Sequence, residues 1–84
     1  MQVPDITSEQ LKAARAALAF TARVVAEETG IGLATLKRYE AQSGVPKSRK
    51  GHLQSLRSFY EAAGIEFIGS PDDGPGIRIR VSKK

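Results

Sequence analysis

The chain is 84 residues long and contains no cysteine, so a single small domain is expected, without disulfides or thiolate metal sites to reinforce its core. Its net charge of +4 and pI of about 9.8 favour a polyanionic partner. No apolar run is long enough to span a membrane, and the opening MQVPDITSEQ lacks the basic-then-apolar order of a secretion signal, so the cytoplasm is the expected location.

Residues 1–6 read as an irregular or extended arm, with Pro4 an obstacle to helix. Thr7 followed by Gln10 fits a capping box, which starts a first helix from Ser8 to about Ala19. That segment is rich in alanine, and Leu11, Ala14 and Leu18 keep the spacing of a buried stripe, with Lys12 and Arg15 off it. Phe20, at the corner into the second helix, reads as a core residue. Thr21 is a good N-cap for that helix, because its hydroxyl can accept a first-turn amide. Val24, Val25 and Ala26 give the helix apolar surface, Glu27 and Glu28 belong on its exposed side, and Gly30 supplies a left-handed end. Ile31 then points inward. Gly32 is a weaker N-cap for a third helix running to about Gln42, in which Leu36 and Tyr39 face the core. Ala34, Thr35, Lys37 and Arg38 fall largely on its other faces. Two short helices meeting at a Gly-containing turn, the second with adjacent basic residues, form a helix-turn-helix whose second helix fits a DNA major groove.

Gly44 and Pro46 stop the third helix, and Lys47, Ser48, Arg49 and Lys50 follow in a loop or at the next helix start. An ordinary solvated loop has the same composition. Directly after a reading helix, contact with phosphate is the stronger reading. A fourth helix is expected over His52–Ala63, with Leu53, Leu56, Tyr60 and Ala63 at helical spacing and Phe59 widening the stripe. Such an aromatic stripe is core material rather than a ligand box. Gly64 ends the helix. Ile65–Ile68 then alternates as a short strand, GSPDDGPG reads as a long, mobile loop, and Ile77–Val81 alternates strictly. Ile77, Ile79 and Val81 share one face of the second strand, and Arg78 and Arg80 the other. The two strands form a hairpin, which needs helices or another subunit to stabilise it.

Residues 8–63 resemble the Cro and phage-repressor helix-turn-helix family, also called the xenobiotic-response-element (XRE) family in bacteria. The matching features are Leu11, Ala14-Arg15, Leu18, Phe20-Thr21, Ala26-Glu27, Gly30-Ile31, Ala34-Thr35-Leu36 and Tyr39-Glu40. The stretch that continues through GIEFIGSPDDGPGIRIR is similar to small bacterial regulators with a strand pair after the last helix. The fold class expected is therefore mostly α. It is a four-helix Cro/repressor-like domain (residues 7–63) with a short C-terminal β-hairpin and tail (residues 64–84), in one unit. The resemblance implies that Thr21, Ala22 and Arg23 touch phosphate, and that Gly32, Leu33, Ala34, Thr35, Lys37 and Arg38 face the bases. Two positions depart from many relatives. Ala22 stands where they carry a phosphate-binding glutamine, and Leu33 and Ala34 offer only apolar contact to thymine methyls or a fit to groove shape. Lys37 and Arg38 suit guanine edges and phosphate alike.

The expected function is that of a sequence-preferring regulator of transcription that binds double-stranded DNA, with the recognition helix at about 32–42. The alternative is an antitoxin-like or other protein-interaction module, since such folds serve both roles. No enzyme is expected. His52 is the lone histidine and reads as a surface or capping residue, and Asp72-Asp73 reads as turn chemistry. The GPG before Ile77 is too short for a phosphate cradle, and no metal-ligand spacing is present, so neither cofactor nor metal is expected. One helix-turn-helix reads few base pairs, so a two-fold homodimer is expected, joined through the C-terminal strands and helix four.

Overall fold

In the computed structural model, which describes residues 5–80, the chain forms four helices and then two strands. They are α1 (Ser8–Leu18), α2 (Ala22–Thr29), α3 (Leu33–Ala41), α4 (His52–Ala62), β1 (Ile65–Ser70) and β2 (Asp73–Ile79). No helix among the described residues is long and apolar enough to cross a membrane.

The start of α1 is fixed by both halves of the capping box. The Gln10 amide donates to the Thr7 hydroxyl at 3.0 Å, and the Thr7 amide donates to Gln10 Oε1 at 2.8 Å. Ile6 and Leu11, which flank this box at the positions of a hydrophobic staple, are both buried. Ile6 therefore belongs to the core and not to a loose arm. At the other end α1 stops one residue earlier than its alanine content suggests. Ala19 takes a left-handed conformation (φ 58°), and the Phe20 amide reaches back to the Arg15 carbonyl.

The stripes expected on each helix meet in one core. Leu11 and Ala14 of α1, Val25 and Ala26 of α2, Leu36 and Tyr39 of α3, and Leu56 and Tyr60 of α4 are buried with Ile31. Leu18, Phe20, Leu53 and Phe59 pack against this cluster from half-buried positions. Removing the whole Leu36 side chain down to alanine would cost about 2–5 kcal/mol. Val24 and Ala63 face solvent instead of contributing to the core. Thr21 caps α2 by accepting from the Val24 amide at 3.1 Å, and Gly30 ends it with a φ of 77°. The third helix ends at Ala41, with Gln42 extended as its cap.

The strand pair departs most from the expected layout. The loop is not long: the antiparallel strands close at Pro71-Asp72, and the DGPG segment from Asp73 is already part of β2. The register sets Ile65 opposite Ile79, Phe67 opposite Ile77 and Ile68 opposite Gly76, with an irregularity between Ile68 and Ser70. Gly69 makes that irregularity possible. It has a positive φ, and a Cβ there would collide with the Gly74 carbonyl oxygen. Pro75 is tolerated because a two-stranded sheet consists of edges only. The hairpin folds onto its own helices, with α1 against β2 and α4 against β1. Ile65 is buried, and Phe67 and Ile77 pack on the core, whereas Ile79 stays 57% exposed. Val81, expected to end the second strand, lies outside the described residues.

Candidate nucleic-acid interface

The residues singled out in the sequence lie on three successive elements: the start of α2, the exposed side of α3 and the loop that follows. Thr21 and Arg23 are exposed at the start of α2, while Ala22 is half-buried and packs against the core. The first turns of α2 and α3 contain no acidic residue. Their orphan amides therefore present positive helix ends without local neutralisation. Gly32 is exposed in the turn. Leu33 is half-buried against the core, which shortens its reach toward any partner.

Along α3 the burial follows the helical period. Leu36, Tyr39 and Glu40 are buried, while Ala34, Lys37, Arg38 and Ala41 are exposed in a continuous line; Thr35 is intermediate. The i, i+3, i+4, i+7 spacing of those four residues puts them on one face. Lys37 and Arg38 thus project together from the side opposite the core.

The basic loop is held from α3 by two side chains. The Lys47 amide donates to Gln42 Oε1 at 2.9 Å, and the Arg49 amide donates to the Tyr39 hydroxyl at 3.0 Å. The Tyr39 hydroxyl also lies 2.7 Å from His52 Nδ1. The Tyr39 hydroxyl thus joins the Arg49 amide to the His52 ring. His52 is therefore neither a free surface group nor a side-chain cap. It is the far end of a chain of hydrogen bonds linking α4, α3 and the loop. Sequence reasoning missed the roles of Tyr39, Gln42 and His52 here, because a hydrogen bond between elements leaves no periodic signal.

Two concavities lie along this surface. One of about 300 Å³ brings Arg23 and Glu27 of α2 together with Gly32 and Leu33. The other, of about 260 Å³, brings Arg38 together with Lys47, Ser48 and Arg49, with Tyr39 at its base. Lys50 is exposed but lines neither.

The electrostatic partners divide the arginines into two groups. Among the described residues Arg15 pairs with Glu40, Arg57 with Glu61, and Arg78 and Arg80 with Glu66. Arg23, Arg38 and Arg49 take part in none of these pairs, nor do Lys37, Lys47 and Lys50. No protein-family model matches the chain, and no curated protein matches it significantly.

Proposed function

We propose that this protein is a sequence-preferring, double-stranded DNA-binding regulator of transcription, built on the Cro and phage-repressor helix-turn-helix plan. In this reading α2, the turn at Gly30–Gly32 and α3 form the helix-turn-helix, and α3 enters the major groove. Lys37 then faces base edges, Ala34 meets thymine methyls, and Arg23 and the basic loop hold the flanking phosphates. Two copies act together on an inverted repeat, joined through the C-terminal strands.

The observation that carries the reading is the division of the arginines. Four of them, Arg15, Arg57, Arg78 and Arg80, are matched to glutamates. The three unmatched ones, Arg23, Arg38 and Arg49, all lie on the segment from α2 to the loop after α3. An unneutralised basic surface on contiguous elements suits a polyanion, and the acidic pair Glu27-Glu28 sits nearer the end of α2 than its start.

Duplex binding measured at two salt concentrations tests the proposal. With about five phosphate contacts, affinity should fall by roughly 500-fold between about 50 and 200 mM salt. Binding that is absent, or that ignores salt, would remove the DNA reading and favour the protein-interaction alternative, for which Leu33 and Ala34 would be the contact.

A further inference from the structure

We propose that Arg38, Lys47, Ser48 and Arg49 form one binding site for a single phosphodiester group of the DNA backbone. Arg38 is then a phosphate ligand and not a reader of guanine. This rests on the duplex-binding reading above, and it decides between two roles that the sequence leaves open for Arg38.

The four side chains line one concavity of about 260 Å³. Arg38 belongs to the last turn of α3, the end nearer the loop, whereas Ala34 and Lys37 precede it on the same exposed face. No acidic residue lines this hollow, in contrast to the neighbouring one, which includes Glu27. Three cations around one concavity repel each other, and a bound anion reverses that repulsion. Phosphate is the anion that suits them, because a guanidinium can offer it two parallel N–H donors and an ammonium adds a point charge.

The walls are fixed before any ligand arrives. Gln42 holds the Lys47 amide at 2.9 Å and also donates to the Arg38 carbonyl at 3.3 Å, so the loop start is tied to the end of α3. Tyr39 holds the Arg49 amide. The amides of Lys47 and Arg49 are thereby occupied, and Arg38, Lys47, Ser48 and Arg49 line the hollow that this leaves.

The test uses the full chain and its Arg38→Ala and Arg49→Ala variants, alone and combined. Both residues are exposed, so melting temperatures should barely move. In duplex binding, each single variant should lose roughly tenfold in affinity for every sequence tried. The double variant should lose clearly less than the product of the two, because both residues hold one phosphate. A loss for Arg38→Ala confined to duplexes with guanine at one position overturns the proposal while leaving DNA binding intact. Losses that multiply exactly as independent sites would also overturn it. A second arm does not depend on DNA: titration with inorganic phosphate to tens of millimolar, followed by the Arg38 Nε–H and Ser48 amide resonances. Joint shifts that vanish in Arg49→Ala support the site even if no duplex is bound. Resonances that stay still overturn it.

Discussion

Arg15 and Glu40 join α1 to α3 through a two-pronged ion pair. Arg15 Nε lies 2.9 Å from Glu40 Oε2 and Nη2 lies 2.9 Å from Oε1, while Nη1 donates to the Phe20 carbonyl at 3.2 Å. The guanidinium therefore braces three places at once: α1, α3 and the corner that leads into α2. Glu40 is largely buried (side chain 8% exposed), and its hydrogen bond holds the Arg15 pKa above the ordinary value.

Breaking this pair from one side should be costly, because a buried carboxylate would lose its counter-charge. Arg15→Ala should destabilise the protein by about 3 kcal/mol in urea unfolding. Arg15→Lys should cost less than Arg15→Ala, since it keeps the charge but not the fork. Replacing both residues with leucine should cost less than Arg15→Ala alone. A loss below about 1 kcal/mol for Arg15→Ala would mean the pair acts like an exposed one.

Gln10 performs two tasks with the two ends of one amide. Its oxygen completes the capping box at Thr7, and its nitrogen donates to the carbonyls of Ile68 and Gly76 at 3.1 and 2.9 Å. The hairpin is thus clasped to the start of α1. Gln10→Glu separates the tasks, because glutamate serves a capping box equally well but brings no donor to the strand carbonyls. Amide exchange should accelerate in Ile65–Ile79 while α1 keeps its protection. Equal loosening of both would show that cap and clasp are not separable.

What the sequence reveals here is local. The caps at Thr7, Thr21 and Gly30 and the stripes through Leu11, Leu36 and Leu56 depend on neighbours within a turn or two, and all are found as expected. What it conceals is distant. The Gln10 clasp crosses 58 and 66 residues, and the Ser8 hydroxyl finds the Tyr39 carbonyl 31 residues away. Glu40 is buried at a position where a charge normally signals surface, because its partner is on another helix. The DGPG part of β2 is hidden because its outward side needs neither apolar residues nor every amide. For the candidate interface, the basic residue types were legible. The hollow that Arg38 shares with Lys47 and Arg49 was not, since it depends on the way Gln42 and Tyr39 hold the loop.

Tyr60 gives the fold a limit in alkali. Its hydroxyl is buried without a hydrogen-bond partner among the described residues. Burial raises its pKa, the charge of Glu40 raises it further, and Arg15 opposes that shift. The folded tyrosine thus keeps its proton at pH values where the unfolded one, near its ordinary pKa of about 10, has lost it. The unfolded state then binds fewer protons, so stability must fall as pH rises above about 10. Tyr60→Phe should abolish that part of the alkaline loss. At neutral pH it should be neutral or stabilising by about 1 kcal/mol, since an unsatisfied buried hydroxyl is removed. Thermal melts at about pH 7 and about pH 10.5, on either side of the unfolded tyrosine pKa, check both parts. A steeper alkaline loss in Tyr60→Phe would contradict the assignment.

Assembly is the remaining expectation, and the hairpin determines where to look for it. Packing on α1 and α4 has already covered Ile65, Phe67 and Ile77. That leaves Ile79, at 57% exposure, as the apolar residue of the pair most open to a second copy. The sheet has two strands, so β2 also keeps an edge without a strand partner, and such edges invite pairing. A two-fold contact there would repeat Ile79 against its counterpart and bring the two α3 helices to half-sites roughly 34 Å apart. Ile79→Lys in the full chain should then convert a dimer at tens of micromolar to a monomer that stays folded. It should also weaken binding to an inverted repeat far more than binding to a single half-site. Sedimentation gives the mass and duplexes of the two kinds give the ratio. A wild-type chain that sediments as a monomer on and off DNA rejects the dimer. A dimer indifferent to Ile79→Lys keeps the symmetry and moves the contact to the exposed side of α4.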